Sequence, residues 1–538
     1  MRGDKERAPD GPEPVGEDRA LLHPVAIERN DTTYRIISKS VREYQFVIPY
    51  TDRAEVGEIF SIDDRRGDLQ FLARVRDIEH DSNYSGRWDT TIRGMDFYDG
   101  DQIFNRVIAE PLGCVETGRF RQSRTIPTKF SQVHRTLGKE FSFLRQVMGD
   151  IEVGCLRNGG QSVEEISVAL HSEAMDHHMG VFATTGMGKS NFMKVFCASC
   201  MRLSARGESR FGLMVVDPHG EYLMGAKSST GATKGLMHLK NYRSGLACYS
   251  TDRSNCGIPE VEELTVAASE VNPQDVSLLY QWSQAQHDAL EAVGRVLDGG
   301  AWMEQIQTED GIARMVQEGF NESTVRVLSR RIRIVLDKNR YLGKRSSIPN
   351  IIRNLKEGKV VLVDIPRMSD RAELFLLSVL SRCIMEAYRE PEEGRKNCLI
   401  TIEEAQRVLG GSGIARFETI AREGRKFGVG LCAITQQPKL IDQQLLSQFN
   451  TLVVLGLSDR NDRARLAESA KQDLTSLDIE IQTMEKGEAI ISTLKIPFPV
   501  PARIHRYEEY MARLQSEKRE ADLGDVGDFC PSFRMRQR

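Results

Sequence analysis

At 538 residues the chain is too long for one hydrophobic core, so two or more domains are expected. With 40% hydrophobic and 28% charged residues it has the composition of a soluble globular protein. The formal net charge of −4 argues against a surface coated throughout in nucleic acid, but leaves room for a basic channel inside an acidic exterior.

The first residues, MRGDKERAPDGPEPVGEDRA, mix both charge signs with Pro and Gly and lack an apolar core segment. They predict a flexible tail over 1–22 rather than a secretory signal. From 23 to 115 the chain reads as β-rich: Tyr34–Ser38, Tyr44–Pro49, Gly57–Ile62 and Asp68–Ile78 are short and separated by Asp, Arg and Gly turns. Phe71, Ala73 and Val75 alternate with Arg74 and Arg76, the pattern of a half-buried strand. Strands at this spacing predict a small barrel.

Near Met179 the pattern changes. Gly180–Ala183, Leu213–Val216, Val360–Val363, Leu399–Ile402, Leu431–Ile434 and Leu452–Leu457 are apolar runs separated by helical stretches. They predict an α/β core with a buried parallel sheet, its first part over 116–258 and its second over 355–515. None of these runs approaches the roughly 20 residues that span a bilayer. Cys197 and Cys200 form a CxxC pair, but they fall in a helical stretch without a second ligand pair, so two buried helix positions are the simpler reading. Free thiols then point to the reducing cytoplasm.

Between 259 and 354 the strand signal disappears. Val325, Leu328, Ile332 and Val335 keep the spacing of an amphipathic helix, which predicts a helical insertion. It carries a basic run, Arg326, Arg330, Arg331, Arg333, Lys338, Arg340, Lys344 and Arg345, read either as a solvated helix face or as a surface facing DNA or a neighbouring subunit. Residues 516–538 are polar and are expected to form a loosely attached tail.

Five segments carry chemistry. In VFATTGMGKSNF (Val181–Phe192) an apolar strand enters a Gly-containing loop, followed by Lys189, Ser190 and a helix. Such a loop wraps backbone N–H groups around phosphates, the helix points its positive end at the same anion, Lys189 meets the β/γ-phosphates and Ser190 meets Mg²⁺. The candidate ATP-binding residues are Thr185, Gly186, Met187, Gly188, Lys189, Ser190 and Asn191. Ala183 stands where the usual pattern has its first Gly. In LITIEEAQ, Glu403 and Glu404 follow an apolar strand: Glu403 would hold Mg²⁺ through water and Glu404 would polarise the attacking water. Two acids at a helix start are the alternative. VVDPHGEY adds Asp217 as a further active-site acid, with Asp364 of VVLVD a third. In AREGRKFGVGLCAITQQP, Gln436 at a strand tip could sense the γ-phosphate. Arg422 and Arg425, three apart on a predicted helix, could supply an arginine finger, surface salt bridges being the alternative.

HMGVFATTGMGKSN, VVDPHGEY, IEEAQ, AREGRKFGVGL and ITQQP, in that order, resemble the HerA-type ATPases of the HerA/FtsK superfamily. The family more often has Asp-Glu-Ala-His where this chain has IEEAQ. KGEAIISTLKIPFPVPARIH is similar to the family's C-terminal β-segment, the N-terminal strands to its HAS-barrel, and the middle insertion to its helical bundle. The resemblance implies a RecA-like core and homo-hexamers that hydrolyse ATP with Mg²⁺ between subunits and translocate on double-stranded DNA. It implies Glu404 as base and Arg422 or Arg425 acting in trans. It also implies a partner, either a NurA-like nuclease or a defence effector against phage, docking on the barrel. An ATP-binding ring that scaffolds an effector with little motor activity is the alternative. A conjugation or DNA-packaging pump of the same superfamily would ordinarily be membrane-anchored.

Overall fold

The computed structural model describes residues 34–67, 69–82, 103–225, 227–228, 231–410 and 415–524. The tail predicted over 1–22, the first barrel residues 23–33 and the strand start at Asp68 lie outside them. The barrel is built from β1 (Tyr34–Lys39), β2 (Tyr44–Pro49), β3 (Ile59–Asp63), β4 (Gln70–Ser82), β5 (Ile103–Glu116) and β7 (Gln132–Arg135), with β6 (Arg119–Arg121) hairpinned onto β5. Their antiparallel order is β2-β1-β7-β3-β4-β5, and β5 pairs back onto β2, so the sheet has no open edge there. Tyr34, Phe46, Phe60, Phe71 and Val107 fill the interior.

Two sequence readings change here. The closing strand Gln132–Arg135 lies beyond the boundary drawn at 115. Arg74, expected on a solvent face, is buried: it donates to the Pro499 carbonyl and lies over the Phe498 ring, because this side of β4 packs on the second domain. Arg76 alone points to water.

The larger sheet has twelve strands. Eight are parallel: β15 (Val261–Glu263), β14 (Leu246–Ser250), β18 (Val360–Asp364), β11 (Phe211–Asp217), β19 (Asn397–Ile402), β20 (Val429–Thr435), β10 (His178–Ala183) and β21 (Phe449–Leu455), in that spatial order. Nearly every residue of the central strands is buried, which is why they read as unbroken apolar runs. The sheet is not parallel throughout. Beyond β21 it continues antiparallel through β22 (Glu488–Thr493), β23 (Val500–Ile504), β8 (Ile151–Asn158) and β9 (Gln161–Leu170).

Between 259 and 354 the structure is helical, and Val325, Leu328, Ile332 and Val335 all face its core. Strand pairing nonetheless persists there: β15 edges the main sheet, and β16 (Val266–Ala267) pairs with β17 (Leu342–Gly343). The helix Ile348–Lys356 packs under β11, where a side chain at Gly212 would meet the Leu355 carbonyl at 2.3 Å. The final helix runs Tyr507–Gly524 and buries Tyr507, Tyr510, Met511 and Leu514, so the chain stays attached through the position where a loose tail was expected to start.

Candidate nucleotide site at the end of the parallel strands

β10 delivers the chain to a turn at the carboxyl edge of the sheet, where α/β proteins bind ligands. Gly186 and Gly188 have φ of +87° and +105°, and a Cβ would meet nothing closer than 3.7 Å, so backbone conformation and not space requires glycine there. Ala183 is still strand, paired with Leu455, and needs no glycine. The turn is braced by Thr184 N–H on the Gly456 carbonyl (3.0 Å) and by Gly487 N–H on the Met187 carbonyl (3.2 Å). The helix Lys189–Ala205 starts directly at Gly188 with no side-chain cap, leaving its first N–H groups for an anion. Cys197 and Cys200 are buried on this helix. Asn191 does not point into the turn: its side-chain amide donates to the His505 carbonyl (2.8 Å) and accepts from Tyr507 N–H (2.9 Å).

Four predicted residues converge on this turn. Lys189 Nζ is 3.9 Å from Glu404 Oε1, and Gln436 Nε2 lies 3.5 Å from the same oxygen. The Thr185 hydroxyl donates to Gln436 Oε1 at 2.5 Å. Glu404 has φ +48°, a conformation uncommon for a residue with a side chain, held by the strand before it and the short helix Gln406–Leu409 after it. Glu403, half-buried, is held by Tyr222. Burial pushes its carboxyl up to about 7, against the pull of Lys189 and of the Tyr222 hydroxyl, which donates to Oε1 at 3.0 Å. A half-buried carboxylate whose charge is disfavoured, beside a phosphate-sized turn, is a group that a divalent cation would return to its charged form, so the residues fit Mg²⁺. Asp217 stands behind, fully buried. Its carboxylate accepts the N–H groups of His219, Gly220 and Tyr222, so it shapes the DPHGEY turn and places Tyr222 on Glu403. Asp364, its neighbour in register, accepts from Ser250 and Asn255.

Arg422 and Arg425 are elsewhere. The connection from β19 to β20 carries them to the opposite, amino edge of the sheet, where His178 at the start of β10 donates Nε2–H to the Ala421 carbonyl (2.7 Å) and accepts Leu431 N–H (3.0 Å). They do not share one α-helical face: the helix Ala415–Glu423 ends between them, and Arg425 sits in the 3₁₀ turn Gly424–Phe427. Both are exposed, and among the described residues neither has an ion-pair partner.

A family model described as the central domain of helicase HerA matches residues 151–384. A probable helicase of Methanocaldococcus jannaschii is 26% identical over 88% of this chain and 95% of that protein. The DNA double-strand break repair helicase HerA of Pyrococcus furiosus is 24% identical over 87% of this chain and 91% of that protein. Over most of its length the chain is similar to these HerA helicases. Among solved structures, the bacterial conjugative coupling protein TrwBdeltaN70 superposes with a TM-score of 0.45 at 14% identity, over 69% of this chain and 93% of that one, too loosely to add to the topology above. No helix among the described residues is long and apolar enough to cross a membrane.

At this site the structure adds residues that spacing did not single out. Gln406 donates to Glu404 Oε2 (2.6 Å) and is itself held by the Thr435 hydroxyl, so the last letter of IEEAQ orients the second acid. Tyr222 and Gly487 both lie in segments recognisable as motifs, but their roles depend on contacts across 181 and 300 residues of sequence, which no local pattern reports.

Proposed function

We propose that the chain is an ATP-driven DNA translocase of helicase type, working as a closed ring of identical subunits, six by resemblance. The observation that carries this reading is the separation of the site's two halves. The turn, the acids and Gln436 lie at one edge of the sheet, and Arg422 and Arg425, without an ion-pair partner among the described residues, lie at the other edge of the same strands. In a head-to-tail ring each subunit offers its arginines to the next one's phosphates, an arrangement that closes only with repetition.

In that assembly the first N–H groups of the helix Lys189–Ala205 and the Lys189 ammonium hold the ATP phosphates, and Ser190 with Glu403 would hold Mg²⁺, which would supply charge neutralisation on the phosphates. Glu404 accepts a proton from the attacking water, Gln436 detects the γ-phosphate, and a guanidinium from the adjoining subunit stabilises the charge on the transferring group. Relatives named as DNA double-strand break repair helicases support DNA as the track. A nuclease or a defence effector is the partner, and exposed Ile37, Val41, Tyr50 and Phe130 support docking on the barrel.

The test is ATP turnover with and without duplex DNA, paired with displacement of a protein roadblock. DNA-stimulated turnover with displacement is expected, both lost in Lys189→Ala. Normal turnover without displacement would replace the motor with an ATP-regulated scaffold.

A further inference from the structure

The basic run around the helix Glu322–Lys338 does not act as one surface. Arg326 is spent on Glu322 (2.8 Å) and Glu309 (3.1 Å). Arg331 lies over the rings of Trp282 and Tyr280, 4.7 and 5.2 Å from their centroids, and donates to the Gln281 carbonyl. Of the rest of the run, Lys338 and Arg340 line a cleft of about 470 Å³ together with Arg367 and Arg371.

Four cations and no carboxylate line this cleft, in a chain whose net charge is negative. Among the described residues no acid lies within ion-pair distance of Lys338, Arg340 or Arg367, and Arg371 has only the Leu279 carbonyl at 3.4 Å. Such a concentration of unpaired positive charge is repulsive and marks a site for anions. Arg367 also holds φ +64°, a conformation that L side chains rarely adopt, in the turn after β18. Tyr341 in the cleft wall is buried, and its hydroxyl has no partner among the described residues.

The cleft lies beyond the ends of β14 and β18, on the same edge of the sheet as the Lys189 turn and four strands away, about 19 Å at the usual strand spacing. It is therefore separate from the nucleotide site while sharing its floor. The four cations are exposed and spread around an open mouth, whereas a single caged phosphate would need buried donors converging on one point. Arginine and lysine with no charged acceptor among them suit phosphate oxygens in series and fix position without reading bases.

We infer that this cleft is a phosphate track, holding the phosphodiester backbone of the DNA on which the ATPase acts. The inference rests on the translocase reading and names the surface that carries it. The test is binding of a fluorescent duplex oligonucleotide to the full chain, followed by anisotropy as salt rises from about 50 to about 200 mM. Each lost phosphate contact lowers the log–log salt slope by about 0.9, so in Arg340→Gln/Arg367→Gln the fourfold salt increase weakens binding about twelvefold less than in wild type. Arg326→Gln/Arg333→Gln removes the same charge outside the cleft and should keep the wild-type slope. Lys338→Gln/Arg371→Gln repeats the test from other positions, and ATP turnover without DNA reports that each variant is folded. If both cleft variants keep the wild-type slope, or the control flattens as much as they do, the track is not here although the translocase reading stands. If wild type binds no duplex at any salt, that reading fails and takes the track with it.

Discussion

The arginine pair offers a sharp quantitative test of the ring. His178, on which Arg425 acts electrostatically, and Ala183 are the two ends of β10, five residue steps or about 16 Å apart. The phosphate-binding turn lies further on, so neither arginine can reach the turn of its own chain. Arg422→Ala/Arg425→Ala should therefore bind ATP normally and lose turnover by about a thousandfold or more, the size of an arginine-finger effect. Lys189→Ala should also be inactive, for the opposite reason. Mixed in equal amounts and reassembled, the two form active pockets only where an intact turn meets an intact arginine donor, which is about one interface in four. Turnover in the mixture should recover to about a quarter of wild type, read by a coupled phosphate-release assay. A mixture that co-assembles yet stays as inactive as its components would refute action in trans. Full activity in the double arginine variant would remove these residues from the mechanism.

Glu404→Gln keeps the shape and the Lys189-side contacts but not the proton acceptor, so turnover should fall by about 10²–10⁴ while a fluorescent ATP analogue still binds. His178 accepts Leu431 N–H on one ring nitrogen and is buried, which lowers its pKa from 6.5 to about 4. The neutral form is the native one, so its stabilisation is complete above pH 6.5 and is lost as pH falls toward 4. Between pH 7 and pH 5 wild type should lose about 2 kcal/mol more stability than His178→Gln in urea titrations. An equal loss in both would show that the imidazole does not titrate this way. Arg157 and Glu480 form a buried ion pair between the sheet and the helix Asp478–Thr483. Arg157→Met leaves the carboxylate unpaired and should destabilise the chain by about 3–5 kcal/mol, seen as a lower Tm. Arg157→Met/Glu480→Leu should recover most of it.

The sequence reveals those parts of the fold whose physics is local. β10, the glycine turn and the following helix are contiguous, and the parallel strands are buried on both faces, so each leaves an unbroken apolar run. The hairpin of β8 and β9 leaves no such mark, because Gln161–Leu170 is exposed at Glu164 and Glu165 and buried mainly at its end, and because Ile151–Asn158 gains its other partner, β23, from 348 residues away. Arg74 misleads for the same reason: alternation shows that β4 has two faces, not that the second is covered by another domain. At the nucleotide site the residue types identify Lys189, Glu403 and Glu404. They do not disclose that Asp217 is committed to its own turn, that Asn191 is committed to His505 and Tyr507, or that Arg422 and Arg425 lie a strand's length away. Those facts are set by topology.

The pairing of β8 with β23 has a bearing on how the protein is made. β8 leaves the ribosome well before β23, the strand that joins it to the rest of the sheet, since Arg503 follows its partner Cys155 by 348 residues. Until then an edge of exposed N–H and C=O groups waits without its neighbour, open to pairing with another nascent copy. Completion of the sheet is thus deferred until β23 has been made, and the barrel, whose strands close locally, has time to fold first.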